Sequence, residues 1–122
     1  MGDLIDMKVL LVDDDPSIRT SMEYYFRKKT AVFKTVESAE LGIEILRDIG
    51  PVDIFIVDYK LPGMNGLSFL KVAKQKWPNA RCVLITAHSS PEIISKAFKV
   101  GVNTYIQKPF TTATMKDALR KA

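Results

Sequence analysis

Lys8-Val9-Leu10-Leu11-Val12-Asp13-Asp14-Asp15-Pro16 joins a short apolar run to three acids and a proline. Apolar residues in unbroken succession, without polar alternation, are the pattern of a strand buried on both faces. Proline at position 16 suits the first turn of a helix. Ile18, Met22, Tyr25 and Phe26 then follow at helical spacing. The unit is strand, acidic turn, helix.

The same unit recurs along the chain. Residues 31–36 read as a weaker strand, and Ser38 caps a helix carrying Ala39, Leu41, Ile45, Leu46 and Ile49, which Gly50-Pro51 ends. Ile54, Phe55, Ile56 and Val57 form a strand stopped by Asp58; a loop over 61–66 leads to a helix marked by Leu67, Phe69, Leu70 and Ala73. Residues 82–85 form a strand ending at Thr86. Ile93, Ile94, Ala97, Phe98 and Val100 give a helix that stops at Gly101. Residues 102–107 form the last strand, ending at Lys108-Pro109, and residues 112–121 the last helix. Continuous apolar strands alternating with helices predict an α/β domain. Its core is a doubly wound, five-stranded parallel sheet in the order 2-1-3-4-5 with five helices, a flavodoxin-like arrangement.

At 122 residues the chain is expected to be a single domain over 1–122, with residues 1–6 a flexible N-terminal extension. Hydrophobic residues at 47% and charged residues at 26% are ordinary for a globular domain. No apolar run is long enough to span a bilayer, and the first residues lack the basic and apolar regions of a signal peptide. One cysteine, Cys82, excludes an internal disulfide and a Cys-based zinc site, so a reducing, cytoplasmic location is expected. Net charge is +4, and the C-terminal quarter holds Lys96, Lys99, Lys108, Lys116, Arg120 and Lys121 against Asp117 alone. With no Arg-rich or aromatic-interleaved stripe, this charge reads as a solvated surface rather than a nucleic-acid footprint.

In a sheet of this kind, ligands bind outside the carboxyl ends of the strands, near the switch in strand order. Those ends carry Asp13-Asp14-Asp15, Asp58, Thr86 and Lys108. Two carboxylates about 5 Å apart repel by roughly 3 kcal/mol at an effective dielectric of about 20. A cluster of Asp13, Asp14 and Asp58 therefore raises a pKa or recruits a cation. Oxygen ligands without histidine favour a hard ion, Mg²⁺ or Mn²⁺. Such an ion beside a lysine and a hydroxyl is what a phosphoryl group needs. Asp15 is either a further member of the cluster or the N-cap of the helix beginning at Pro16.

The ordered set Val-Asp-Asp-Asp-Pro at 12–16, Val-Asp-Tyr-Lys-Leu-Pro-Gly-Met-Asn-Gly at 57–66, Thr-Ala at 86–87 and Lys-Pro-Phe at 108–110 resembles the receiver domain of two-component response regulators. The resemblance runs from about Met7 to the end. It implies that Asp58 accepts a phosphoryl group from a sensor histidine kinase or a histidine phosphotransfer protein. Asp14, Asp13, Asp58 and the backbone carbonyl of Lys60 would bind Mg²⁺. Lys108 and Thr86 would each engage a phosphoryl oxygen, and a cis Lys108-Pro109 bond would aim the lysine. Tyr105 matches the aromatic position that swings inward with Thr86. The surface of the fourth helix, fifth strand and fifth helix would then act on a downstream protein or effector domain. No membrane contact and no direct nucleic-acid binding are implied, and no enzymatic activity beyond the domain's own phosphorylation and dephosphorylation. Lys60 and His88 flank the path of a hydrolytic water, so slow self-dephosphorylation is expected.

Two other readings use the same residues. A pseudo-receiver would keep the fold as a docking module without the switch, against which stand intact Asp14, Asp58, Thr86 and Lys108. A haloacid-dehalogenase-like phosphatase would use Asp13 as nucleophile and Asp15 as general acid, but the chain is short for a cap, Pro16 follows at once and no late acidic pair exists. The family also admits a phosphorylation-dependent homodimer. Here Asn103 stands where many DNA-binding members carry an acid for that contact. The end at Ala122 fits either a stand-alone receiver or one cut from a longer protein.

Overall fold

Successive strand residues point to opposite faces of a sheet, and the apolar runs of this chain divide accordingly. The computed structural model describes residues 4–87 and 90–122. Its elements are β1 (Lys8–Val12), α1 (Pro16–Phe26), β2 (Val32–Val36), α2 (Ala39–Ile45), β3 (Ile54–Asp58) and α3 (Gly66–Lys76). β4 (Arg81–Thr86), α4 (Pro91–Val100), β5 (Thr104–Gln107) and α5 (Thr112–Lys121) complete the chain. All neighbouring strands pair in parallel, in the order β2-β1-β3-β4-β5, as expected.

Leu10, Val12, Phe55, Val57, Cys82 and Leu84 face one layer, packed under α2, α3 and α4 by Ala39, Phe69, Leu70, Ala73 and Ala97. Val9, Leu11, Ile54, Ile56, Val83 and Ile85 face the other, covered by Met22 and Phe26 of α1 and Met115 and Leu119 of α5. Each fully buried aliphatic or Phe side chain stabilises the fold by about 1.5–3 kcal/mol. This is why β1 and β4, after the half-buried Lys8 and Arg81 that open them, and β3 throughout admit no charged residue until the sheet's carboxyl edge.

The boundaries differ from expectation in three places. α2 ends at Ile45, not Ile49, because the chain tightens into i→i+3 bonds: Arg47 N–H donates to Glu44 and Asp48 N–H to Ile45, before Gly50 turns at φ 77°. β5 begins at Thr104 because the Val102 N–H closes back on Ala97 at 3.0 Å, around Gly101 at φ 111°. Residues 4–6, expected to belong to a flexible extension, form a 3-10 turn whose Leu4 is buried in the α1/α5 layer. Among the described residues, no helix is long and apolar enough to cross a membrane.

Candidate functional site

Register brings the strand ends together. Val12 of β1 lies beside Val57 of β3, so Asp13 and Asp58 leave the sheet side by side. Asp58 is opposite Ile85, one residue before Thr86, and Thr86 is opposite Gln107, one residue before Lys108. The Lys108 N–H donates to the Thr86 carbonyl at 2.9 Å, which carries the last pairing past the end of β5. These residues meet where the strand order reverses between β2-β1 and β3-β4-β5.

Carboxylate oxygens of Asp13, Asp14 and Asp58 all lie within 4.8 Å of one another. Lys108 Nζ donates to Asp58 Oδ2 at 2.8 Å and sits 3.7 Å from Asp13 Oδ2. The other Asp58 oxygen faces the Lys60 N–H at 3.4 Å. Asp13, Asp58 and Thr86 are buried, whereas Asp14 is exposed at the mouth. A cleft of about 250 Å³ opens between them, with Asp14, Asp58, Lys60, Thr86 and Lys108 in its wall.

Burial pushes the Asp13 carboxyl up to about 6; the N–H of Asp15 and Lys108 oppose the rise, and the charges of Asp58 and Asp14 add to it. Burial works to lower the Lys108 ammonium, but its hydrogen bond to Asp58 and the fields of Asp13, Asp58 and Asp14 outweigh it, and its pKa is raised overall. Asp13 Oδ1 accepts the Asp15 N–H at 3.0 Å, while Oδ2 is buried without a hydrogen-bond partner. A buried carboxylate oxygen that accepts no hydrogen bond, on a residue grouped with two further carboxylates, fits a hard cation that ligates through oxygen.

Comparison with known proteins agrees with this geometry. The response regulator receiver domain family matches residues 9–120. This chain is a response regulator receiver domain. The receiver is 35% identical over 120 residues to chemotaxis protein CheY-3 of Vibrio cholerae, covering 95% of this chain and 91% of that one. It is 30% identical to sporulation initiation phosphotransferase F of Bacillus subtilis, covering 97% and 94% respectively. Against the DNA-binding transcriptional regulator NtrC of Escherichia coli it is 35% identical over 84% of this chain but only 22% of that protein. The crystallised chemotaxis protein CheY4 of Vibrio cholerae superposes with a TM-score of 0.87 at 25% identity, over 94% of this chain and 97% of that one.

Two supports of the receiver's site, Arg19 and Glu40, were not among the residues singled out from sequence. Arg19 Nη1 donates to the Asp13 carbonyl at 2.9 Å, tying α1 to the acidic turn. Glu40 of α2 accepts the Met64 N–H at 2.9 Å and so holds the loop after Asp58. This bond keeps the Glu40 carboxyl below its usual range. Gly66 brings the start of α3 so close to β3 that a Cβ there would collide with the Asp58 carbonyl oxygen. Arg19 and Glu40 lack any motif signature because their partners are backbone groups brought near only by folding.

The remaining site residues fall out differently. Asp15 is the N-cap of α1, accepting the Ser17 N–H at 2.8 Å, rather than part of the carboxylate cluster. With its carboxylate capping α1, Asp15 is not placed among the clustered carboxylates as the general acid that the phosphatase reading requires. Lys60 has an exposed side chain at the cleft wall. Tyr105 is 38% exposed on the edge strand β5 and does not line the cleft. The Lys108-Pro109 bond is cis, as expected. His88 lies outside the described residues.

Proposed function

We propose that this receiver is a phosphorylation-activated switch in which Asp58 takes a phosphoryl group from a sensor histidine kinase or a histidine phosphotransfer protein in the cytoplasm. The observation that carries the reading is Lys108 Nζ at 2.8 Å from Asp58, with carboxylate oxygens of Asp13, Asp14 and Asp58 within 4.8 Å of one another. An Asp58 oxygen attacks phosphorus of the donor phosphohistidine. The O–P bond forms as the P–N bond breaks, and the imidazole leaves with the electron pair. Asp13, Asp14, Asp58 and the Lys60 carbonyl would hold Mg²⁺ or Mn²⁺, which would supply positive charge for the phosphoryl oxygens.

Phosphoryl transfer asks a protein mainly for positioning and charge neutralisation. Lys108 exchanges its partner Asp58 for a phosphoryl oxygen, and the Thr86 hydroxyl donates to another. Because the Lys108 N–H is bonded to the Thr86 carbonyl, movement of either residue is passed to the end of β5. Tyr105, now outward, follows Thr86 inward and alters the α4–β5–α5 surface offered to a downstream protein or effector domain. Lys60 beside the cleft shields the acyl phosphate from water, giving slow dephosphorylation.

The test is the intact mass of the protein after incubation with acetyl phosphate, with and without Mg²⁺, beside an Asp58→Asn variant. One phosphoryl adduct requiring both Mg²⁺ and Asp58 supports the switch. No adduct in the folded, Mg²⁺-saturated protein overturns it in favour of a docking module.

A further inference from the structure

A second depression lies apart from the carboxylate cluster. It is a groove of about 750 Å³ between α3 and α4, floored by Leu67, Val100 and Tyr59. Its rims carry Lys71 and Lys74 from α3 and Lys96 and Lys99 from α4. Lys74 is held within the fold, since its Nζ donates to the Ala80 carbonyl at 3.0 Å and its stem lies against Gly101. Lys71, Lys96 and Lys99 are exposed, and among the described residues none forms an ion pair.

Favourable interaction with a helix C-terminus accounts for Lys99, in the last turn of α4. It does not account for Lys71 and Lys96, which sit in mid-helix. Each has a second lysine three residues on, a spacing at which like charges repel. From residue 59 to residue 116 the sole acid is Glu92, which is not in the groove wall. The groove thus concentrates positive charge over an apolar floor and has no acid of its own to neutralise it.

We infer that the α3–α4 groove docks an acidic peptide segment of a partner protein, with carboxylates on Lys71, Lys96 and Lys99 and one apolar side chain on the Leu67–Val100 floor. Charge complementarity and the apolar floor favour a peptide. The groove wall holds no arginine and a single aromatic, Tyr59, so it lacks the stacking and bidentate groups with which proteins grip nucleic acid. Tyr59 also lines the cleft beside Asp58, which places the docked segment next to the receiver's site. The docking itself needs no chemistry at Asp58 and is tested on the unphosphorylated protein.

The experiment titrates the ¹⁵N-labelled full chain, in 150 mM salt, with a blocked dodecapeptide of Glu and Asp bearing one central Leu. Its Gln/Asn counterpart and a 12-nucleotide single-stranded DNA are run in parallel. Expected are saturable amide shifts centred on Ser68, Lys71, Gln75, Lys96 and Lys99 with the acidic peptide. The Lys71→Glu/Lys96→Glu double variant loses at least tenfold in affinity, and a Lys116→Glu/Arg120→Glu double variant on α5 does not. The first variant alters two exposed side chains and the second one exposed and one half-buried side chain, and their amide spectra check that both fold. No saturation, shifts centred on α5, equal binding of the Gln/Asn peptide, or tighter binding of the DNA would each overturn the inference.

Discussion

Lys108 Nζ, 2.8 Å from Asp58 Oδ2, is the counter-charge that lets a buried carboxylate stand beside a second buried carboxylate, Asp13. Three acids converge on the cleft and one ammonium reaches into it, so removing that ammonium costs stability before any chemistry is considered. Lys108→Ala is expected to lower unfolding free energy by about 2 kcal/mol in divalent-free buffer. Its phosphorylation by acetyl phosphate should slow by roughly ten- to a hundredfold. Urea unfolding and a mass time course measure the two effects; a variant as stable and as quickly phosphorylated as the parent would refute both.

Asp13 behaves in the opposite sense. Its carboxyl is raised from 3.8 to about 6 in the folded chain, chiefly by burial. Between those values the native state holds a proton that the unfolded chain has already released. Metal-free stability therefore falls as pH rises through this window and is level above it. Asp13→Asn, which cannot ionise, is expected to be more stable than the parent by about 1–3 kcal/mol at pH 7.5 without metal. Denaturant midpoints at pH 4.5 and 7.5 test this, since the advantage of the variant must shrink at the lower pH.

The same proton competes with a cation for the Asp13 carboxylate. With the group titrating at about 6, Mg²⁺ affinity should be about tenfold weaker at pH 5 than at pH 7.5. Calorimetric titration at the two pH values provides the comparison. A pH-independent affinity would remove Asp13 from the ligand set.

Gly66 is required by close approach, not by a turn. A Cβ there would strike the Asp58 carbonyl and lie 2.9 Å from a Val57 methyl. Gly66→Ala must push α3 away from β3, with an expected cost of about 1–3 kcal/mol and a reduced phosphorylation yield. Wild-type stability in this variant would show that α3 has room to shift without disturbing Asp58.

Glu40 acts at a distance from the strand ends by holding Met64. The hydrogen bond lowers its pKa, so its contribution is present above the ordinary carboxylate range and is lost as pH falls through the depressed value. Glu40→Ala frees the loop that carries the Lys60 carbonyl. Mg²⁺ affinity is expected to drop by up to about tenfold, with little change in the thermal midpoint, both read in one calorimetric series.

Much of this was written in the chain itself. Unbroken apolar runs can be satisfied only by a sheet covered on both faces, and the acid, hydroxyl and ammonium at their ends stand there because a buried strand admits such groups only at its edge. Asp13, Asp14, Asp58, Thr86 and Lys108 were therefore legible as one constellation from strand ends and order alone. Tertiary structure decided what local pattern cannot encode. Arg19 and Glu40 became supports of the site through bonds to backbone groups 6 and 24 residues away, and backbone donors and acceptors look alike at every position of a sequence. Asp15 was separated from its neighbours by the direction in which α1 begins, and the two lysine pairs of α3 and α4 became one groove only when those helices packed side by side. Periodicity and residue chemistry determine which faces are buried and which strand ends are polar; distances between residues remote in the chain are set by packing, where the balance of burial and charge is struck.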